Sequence, residues 1–201
     1  MRPVDDRPSG VPAAGTGGSD APLPRALFRL VPPEESDIRF ANVLQETDTF
    51  NAIFYEYYYN GSGLAVGDLN RDGLSDIFFG ANMSPCRLYL NHGNLEFSDI
   101  TDRSGIHTDG KWITGVSFAD LNQDGWLDIY LCAGGNIHQD YRNLLYLSNG
   151  DKDNLAFTEC AARVGLDDER YSTQANFFDY DRDGDLDLYL VNSAMNLPNK
   201  N

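Results

Sequence analysis

Basic residues are scarce in this 201-residue sequence, which has 15 Lys and Arg against 31 Asp and Glu and a formal charge of −16. Phosphate recognition needs a basic patch or stripe, and the sequence contains none. We therefore predict that nucleic acid is not a partner. The same charge balance argues against docking on an anionic membrane surface.

Long apolar runs and paired cysteines are also missing. No stretch of 18 or more apolar residues is present, so we expect no membrane insertion. Residues 1–24 lack the apolar centre of a secretory signal peptide. The three cysteines, Cys86, Cys132 and Cys160, form no CxxC metal motif. Buried free thiols are the expectation, and one disulfide stays open as an alternative.

Sequence motifs of common catalytic sites are absent as well. The sequence has neither a Gly-x-Ser-x-Gly nucleophile elbow nor a His-Glu-x-x-His helix. Its three histidines, His92, His107 and His138, occupy unrelated positions. Catalysis requires convergent groups with distinct roles, so we predict that this segment is not an enzyme.

A nine-residue acidic loop is present three times, at residues 68–76, 120–128 and 179–187. Each copy has Asp or Asn at loop positions 1, 3, 5 and 9 and Gly at position 6. Oxygens on alternate residues of a tight turn can converge on one cation, and calcium accepts six to eight of them at about 2.3–2.6 Å. Magnesium fits less well because it requires a stricter octahedron. The pattern predicts up to three Ca²⁺ ions, one per loop.

The predicted ligands follow from this spacing. The side-chain ligands are Asp68, Asn70, Asp72 and Asp76; Asp120, Asn122, Asp124 and Asp128; and Asp179, Asp181, Asp183 and Asp187. Three position-7 carbonyls, those of Leu74, Trp126 and Asp185, would each add one oxygen. No cofactor-binding or catalytic residue is predicted.

An EF-hand is the main alternative for such a loop, and its twelfth residue is a bidentate Glu. Position 12 is here Phe79, Leu131 or Leu190. The flanking segments are rich in β-branched and aromatic residues, so each loop is predicted to join two strands rather than two helices.

The loops belong to a longer repeat. Successive copies start 52 and 59 residues apart, and each full unit contains about four short strand patterns. This period is typical of propeller blades. We predict an all-β fold of four-stranded antiparallel blades, with blade 1 at 63–111, blade 2 at 112–170 and a partial blade 3 at 171–201. Residues 1–26, which hold five prolines among Gly, Ala and Ser, are predicted to be a flexible leader. Residues 27–62 are predicted to be an N-terminal strand region.

Two and a half blades cannot close a ring, because closed propellers use about four to eight. We therefore expect this chain to be part of a longer propeller. A chain that completes its sheets with neighbouring copies, as a homo-oligomer, is the alternative.

Residues 60–70, 112–120 and 177–185 resemble the FG-GAP or VCBS repeat family, whose blades build the calcium-binding propellers of integrin α subunits and of many bacterial surface proteins. The resemblance implies a ring of about seven blades with calcium in each loop. It also implies a secreted or cell-surface scaffold for adhesion, binding or assembly, with a protein or glycan as partner. Many relatives carry an ASPIC/UnbV domain, which these 201 residues do not include. Asn70 and Asn122 leave the first two sites one carboxylate short of the third.

Two further features have open interpretations. Residues 28–38 mimic residues 97–106 with one insertion, so they are predicted to supply the outer strand that closes the ring. The aromatic residues at 54–59 and Trp112 favour packing between blades over a sugar-binding platform. A lectin or carbohydrate-active enzyme on the same propeller remains the alternative function. Asn60 and Asn82 lie in N-glycosylation patterns whose use the sequence leaves open.

Overall fold

The computed structural model of the protein describes residues 28–135 and 140–193. The predicted leader lies outside the described residues, as does the end of the third unit. The elements of the described part, in chain order, are α1 (Pro33–Ser36), β1 (Leu64–Gly67), β2 (Asp76–Phe79), β3 (Arg87–Asn91), β4 (Phe97–Asp99), a 3-10 turn (Thr101–Arg103), β5 (Ile113–Ala119), β6 (Asp128–Ala133), β7 (Leu144–Ser148), β8 (Phe157–Glu159), α2 (Ala161–Val164), β9 (Ser172–Phe178) and β10 (Asp187–Asn192).

The strands form three antiparallel sheets. Strands β1 to β4 make one four-stranded sheet in sequence order, β5 to β8 make a second, and β9 pairs with β10. This all-β arrangement of antiparallel four-stranded sheets confirms the predicted fold class and is consistent with propeller blades. A ring of about seven blades stays a prediction.

Each acidic loop closes a hairpin between the first and second strands of a sheet. The last pairs before the three loops are Gly67 with Asp76, Ala119 with Asp128, and Phe178 with Asp187. Strands β5 and β9 have seven residues each and are longer than β1, which has four. The pairing of β5 with β6 is irregular between Ile113 and Gly115.

Most of the core lies between neighbouring sheets. One apolar cluster contains Phe78 and Leu90 of the first sheet together with Ile129 and Leu131 of the second. A second cluster joins the second sheet to Ala175 of β9. All six residues of β6 are buried because this strand is covered on both faces. The sheets therefore stabilise one another, as expected of stacked blades.

The first strands of neighbouring sheets approach each other so closely that Gly63 and Gly115 have no room for a side chain. A Cβ on Gly63 would lie 2.6 Å from the Val116 nitrogen, and a Cβ on Gly115 would lie 2.5 Å from the Thr173 carbonyl oxygen. Backbone atoms cannot move aside as flexible side chains can. Glycine at these two positions is therefore a steric requirement of the inner edge.

The ends of the first two sheets share a second recurring feature. A short helical turn follows β4 and β8, and it stops at a left-handed residue, Gly105 or Gly165. Helix α1 stops in the same way at Asp37, with φ 57°. Among residues 28–62 the structure contains no strand.

The remaining expectations concern cysteines and membranes. All three cysteines are buried free thiols, as expected. None of the helical segments in the described part of the chain has the length and apolar character needed to cross a bilayer.

Candidate calcium loops

Loops 1 and 2, residues 68–76 and 120–128, have the same backbone path. Their glycines, Gly73 and Gly125, adopt φ of 90° and 87°, as the position-6 prediction requires. The residue two places earlier is also left-handed, with φ 58° at Arg71 and 60° at Gln123. The left-handed residues at loop positions 4 and 6 turn the backbone tightly around the carboxylate side chains of the loop. The residue type at position 4 does not predict this left-handed conformation, since Arg and Gln seldom adopt it.

The first aspartate of each loop organises this turn. In loop 2 the Asp120 carboxylate accepts the N–H groups of Asp124 and Gly125, with O···N distances of 3.0 and 2.8 Å. The Asp68 carboxylate makes the equivalent contacts in loop 1 at the same distances, 3.0 and 2.8 Å. Position 1 therefore holds its oxygens toward the middle of the loop.

Positions 3 and 5 are linked through an amide. The Asn70 Nδ2 donates to the Asp72 Oδ2 at 2.9 Å, and the Asn122 Nδ2 donates to the Asp124 Oδ2 at 2.8 Å. Each Asn Oδ1 also accepts the position-5 N–H. The asparagines thus hold their neighbouring carboxylates in place without adding negative charge.

Position 9 has a structural role that the sequence pattern did not indicate. Asp128 is fully buried, and its two oxygens accept the N–H of Leu121 at 3.0 Å and the N–H of Ser148, at the end of β7, at 2.9 Å. Asp76 makes the same pair of contacts to Leu69 and Asn91, both at 2.9 Å. Burial raises the pKa of both carboxyl groups, and their hydrogen bonds partly oppose this shift. Asp76 and Asp128 therefore tie loops 1 and 2 to the third strands of their sheets.

Loop 3, residues 179–187, is the most acidic and the most exposed of the three. Oxygens of Asp179, Asp181 and Asp187 lie within 4.8 Å of one another, which forms an acidic cluster suited to a metal ion. The backbone N–H of Asp185 donates to the Asp183 carboxylate and lowers the pKa of Asp183, while the side-chain contact with Asp183 raises the pKa of Asp185. The structure thus brings positions 1, 3 and 9 together.

The predicted backbone ligands follow directly after the left-handed glycine. The N–H groups of Leu74, Trp126 and Asp185 donate to the position-5 carboxylates at 2.8, 2.8 and 3.1 Å. This hydrogen bond recurs in all three loops and orients the position-7 peptide uniformly. Coordination by the position-7 carbonyls stays a prediction.

Neighbouring loops also contact each other through position 4. The Arg71 guanidinium lies over the Trp126 ring, 5.3 Å from its centroid. The Gln123 Nε2 donates to the Gly184 carbonyl at 3.3 Å. The position-4 side chain of one loop therefore reaches position 6 or 7 of the next loop. The spacing within a single loop could not predict this contact.

The donor set of the loops is composed of oxygens, which suits a hard divalent cation such as calcium. Comparison with known proteins is in line with this chemistry. Residues 68–131 match the family model described as an FG-GAP-like repeat. The matched segment starts at the first residue of loop 1 and ends within β6, after loop 2. This segment of the chain therefore carries an FG-GAP-like repeat.

The chain is also similar to cartilage acidic proteins and to an integrin α subunit. It is 29% identical over 176 residues to mouse cartilage acidic protein 1, which covers 85% of the chain and 25% of that protein. It is 29% identical over 171 residues to the human cartilage acidic protein 1 and 30% identical over 146 residues to human integrin alpha-8, of which 13% is covered. The chain spans about a quarter or less of the length of these curated relatives.

Proposed function

We propose that this chain is a calcium-stabilised repeat segment of a secreted or cell-surface scaffold that acts in adhesion, binding or assembly. The observation that carries the proposal is the recurrence of one loop geometry in three hairpins. The position-9 aspartate accepts the position-2 N–H in all three loops, and the position-1 carboxylate accepts the position-6 N–H in all three.

Without a cation, the carboxylates of each loop repel one another. In loop 3 five acids fall within nine residues, and three of them converge. A divalent ion would neutralise this charge and make a polar, glycine-containing turn rigid. Calcium would thereby stabilise the hairpins on which each sheet is built.

Calcium titration of the 201-residue chain by calorimetry tests the proposal. We expect up to three sites of weak affinity, with a Kd of about 10⁻⁴ to 10⁻³ M. Asp183→Ala removes a predicted carboxylate ligand of loop 3 and should weaken that site, whereas Asn70→Ala, which removes an uncharged ligand, should have a smaller effect. Asp109→Ala is the control, since this exposed acid lies outside the loops. A melting curve that is unchanged between excess chelator and excess calcium would contradict structural calcium.

We propose further that the segment acts by binding a protein or glycan partner rather than by catalysis. The described acids with the clearest convergence, those of loop 3, are assigned to metal in this proposal. A glycan array combined with a turnover assay distinguishes the alternatives. Turnover would indicate a carbohydrate-active enzyme, and glycan binding without turnover would indicate a lectin. A negative result in both assays would indicate the protein-binding scaffold.

The N-terminal strand region is proposed to complete a blade of the closed ring. The turn at residues 33–36 ends at a left-handed residue, as do the turns after β4 and β8. Phe28 and Leu30, which precede it, are 89% and 91% exposed. These apolar side chains would be buried if residues 28–31 paired with another blade. A structure of a longer chain in which residues 27–40 pair with no strand would remove this proposal.

A further inference from the structure

A cavity of about 340 Å³ lies at the end of the first strands that is remote from the acidic loops. It is bounded by residues at or before the starts of the first strands, such as Ser62, Trp112 and Ser172, and by residues at the ends of the second strands, such as Gly134 and Asn192. Because β5 spans residues 113–119, about 20 Å of strand separates the cavity from loop 2. A ligand in the cavity would therefore not touch the candidate calcium ligands.

The lining of this cavity is uncharged. None of the described residues that bound it is Asp, Glu, Lys, Arg or His, although 23% of the chain is charged. A charged ligand would find no opposite charge here and would lose its hydration without compensation. The chemistry of the walls thus selects a neutral ligand.

Aromatic rings form the inner wall. Tyr55, Trp112 and Tyr171 are each at least 93% buried, and the Tyr55 and Trp112 rings meet edge to face with centroids 5.7 Å apart. Half-buried Tyr57 packs edge to face on Tyr55 at 5.9 Å. Packing of Tyr55 and Trp112 in one apolar cluster accounts for the burial of these two rings. It does not account for the open volume beside them.

Polar groups form the rest of the wall. Asn60, Ser62, Ser172 and Asn192 contribute amides and hydroxyls to the lining. The Tyr171 hydroxyl is buried and has no hydrogen-bond partner among the residues that the structure describes. An unpaired buried hydroxyl of this kind is destabilising, so a ligand hydroxyl that reaches it would satisfy its hydrogen bond.

We propose that this cavity binds one neutral sugar residue of a glycan. A sugar presents apolar C–H faces to aromatic rings and hydroxyl groups to amides and hydroxyls, which is the combination found in the lining. The volume lies at the lower end of the range for small-ligand sites, about 300–1,000 Å³, and suits one or two sugar rings. This site is independent of calcium, since the loops lie at the opposite ends of the strands.

Calorimetric titration of the 201-residue chain tests the inference. The probes are the methyl glycosides of glucose, galactose, mannose and N-acetylglucosamine, with anionic N-acetylneuraminic acid as the charged comparison. We expect at least one neutral probe to bind with a Kd of about 1 mM, as one sugar ring making few contacts would, and the anionic sugar not to bind. Binding should persist in excess chelator, which separates this site from the calcium proposal.

Matched variants locate the binding. Tyr57→Ala removes a half-buried wall of the cavity and should weaken binding about tenfold or more. Tyr59→Ala is the control, because this neighbouring ring is 66% exposed and does not line the cavity. Asn60→Trp, at an exposed lining position, should block entry while leaving the fold intact. Failure of every neutral probe to bind, equal binding of the anionic sugar, or equal effects of Tyr57→Ala and Tyr59→Ala would each overturn the inference.

Discussion

The buried aspartate at loop position 9 should stabilise the fold even without calcium. Asp128→Ala removes the carboxylate that accepts the N–H groups of Leu121 and Ser148 at 3.0 and 2.9 Å. Asp128 is fully buried, so water cannot readily replace it. Each buried N–H left without a partner costs about 1–3 kcal/mol.

The net effect is smaller than the sum of two such penalties. Desolvation of the buried carboxylate disfavours its charged form and raises the pKa of Asp128. The alanine variant removes this desolvation penalty, so we expect the free energy of unfolding to fall by about 2–4 kcal/mol. At about 2–4 °C per kcal/mol for a chain of this size, the melting temperature should fall by about 4–16 °C.

Asp124→Ala in the same loop is the matched comparison. Asp124 is exposed, and its partners, the Trp126 N–H and the Asn122 amide, can form hydrogen bonds with water instead. In excess chelator we expect a change within about 0.5 kcal/mol. In 10 mM calcium, a site with a Kd of about 10⁻⁴ to 10⁻³ M contributes about 1.4–2.7 kcal/mol, which Asp124→Ala should abolish.

Urea unfolding of both variants and the unmodified chain, in chelator and in calcium, measures these effects. The expected result is that Asp128→Ala is less stable in both buffers and that Asp124→Ala is less stable in calcium only. If the two variants lose the same stability in chelator, position 9 does not tie the loop to the third strand as the hydrogen bonds indicate.

Three other predictions concern packing, pH and thiol reactivity. Gly115→Ala should cost about 1–3 kcal/mol because its Cβ meets backbone at 2.5 Å, whereas Gly67→Ala, whose Cβ meets only side-chain carbons at 3.0 Å, should cost less in the same urea unfolding experiment. The Arg142 guanidinium lowers the pKa of Asp140 below its ordinary 3.8, so this pair stabilises the fold above about pH 4. This stabilisation should be lost as the pH falls toward the lowered pKa. Asp140→Asn should therefore reduce the difference in unfolding free energy between pH 7 and pH 3, and an unchanged difference would contradict the role of this pair. Burial raises the pKa of Cys132 to about 12, so alkylation by iodoacetamide at pH 8 should be slow until urea unfolds the chain, and rapid labelling of the native chain would contradict the buried position.

The two N-glycosylation patterns cannot be ranked by accessibility from the sequence alone. Asn60 and Asn82 carry equivalent three-residue signatures, and nothing in the pattern separates them. In the structure Asn60 is exposed, whereas Asn82 is 1% exposed and hydrogen-bonded to Asn42 and to the Ile113 carbonyl. Only Asn60 is accessible for modification of the folded chain.

The sequence by itself determined the repeat, the strand order within each unit and the positions of the three loops. These features depend on local chemistry: alternating apolar residues make strands, and oxygens on alternate residues around a glycine make a chelating turn. Local patterns of this kind survive without knowledge of the rest of the fold. The buried free thiols were likewise predictable from their spacing.

Only the tertiary structure decided which residues act across the units. The contact of Asp76 with Asn91, 15 residues away, depends on where β3 ends beside loop 1. The stacking of Arg71 on Trp126 depends on how the first two sheets pack. The uncharged cavity likewise exists because five separate segments, around residues 55–62, 112–114, 134, 171–173 and 191–193, meet at one end of the inner strands. Such contacts join residues far apart in the chain, and no periodicity along the sequence encodes them.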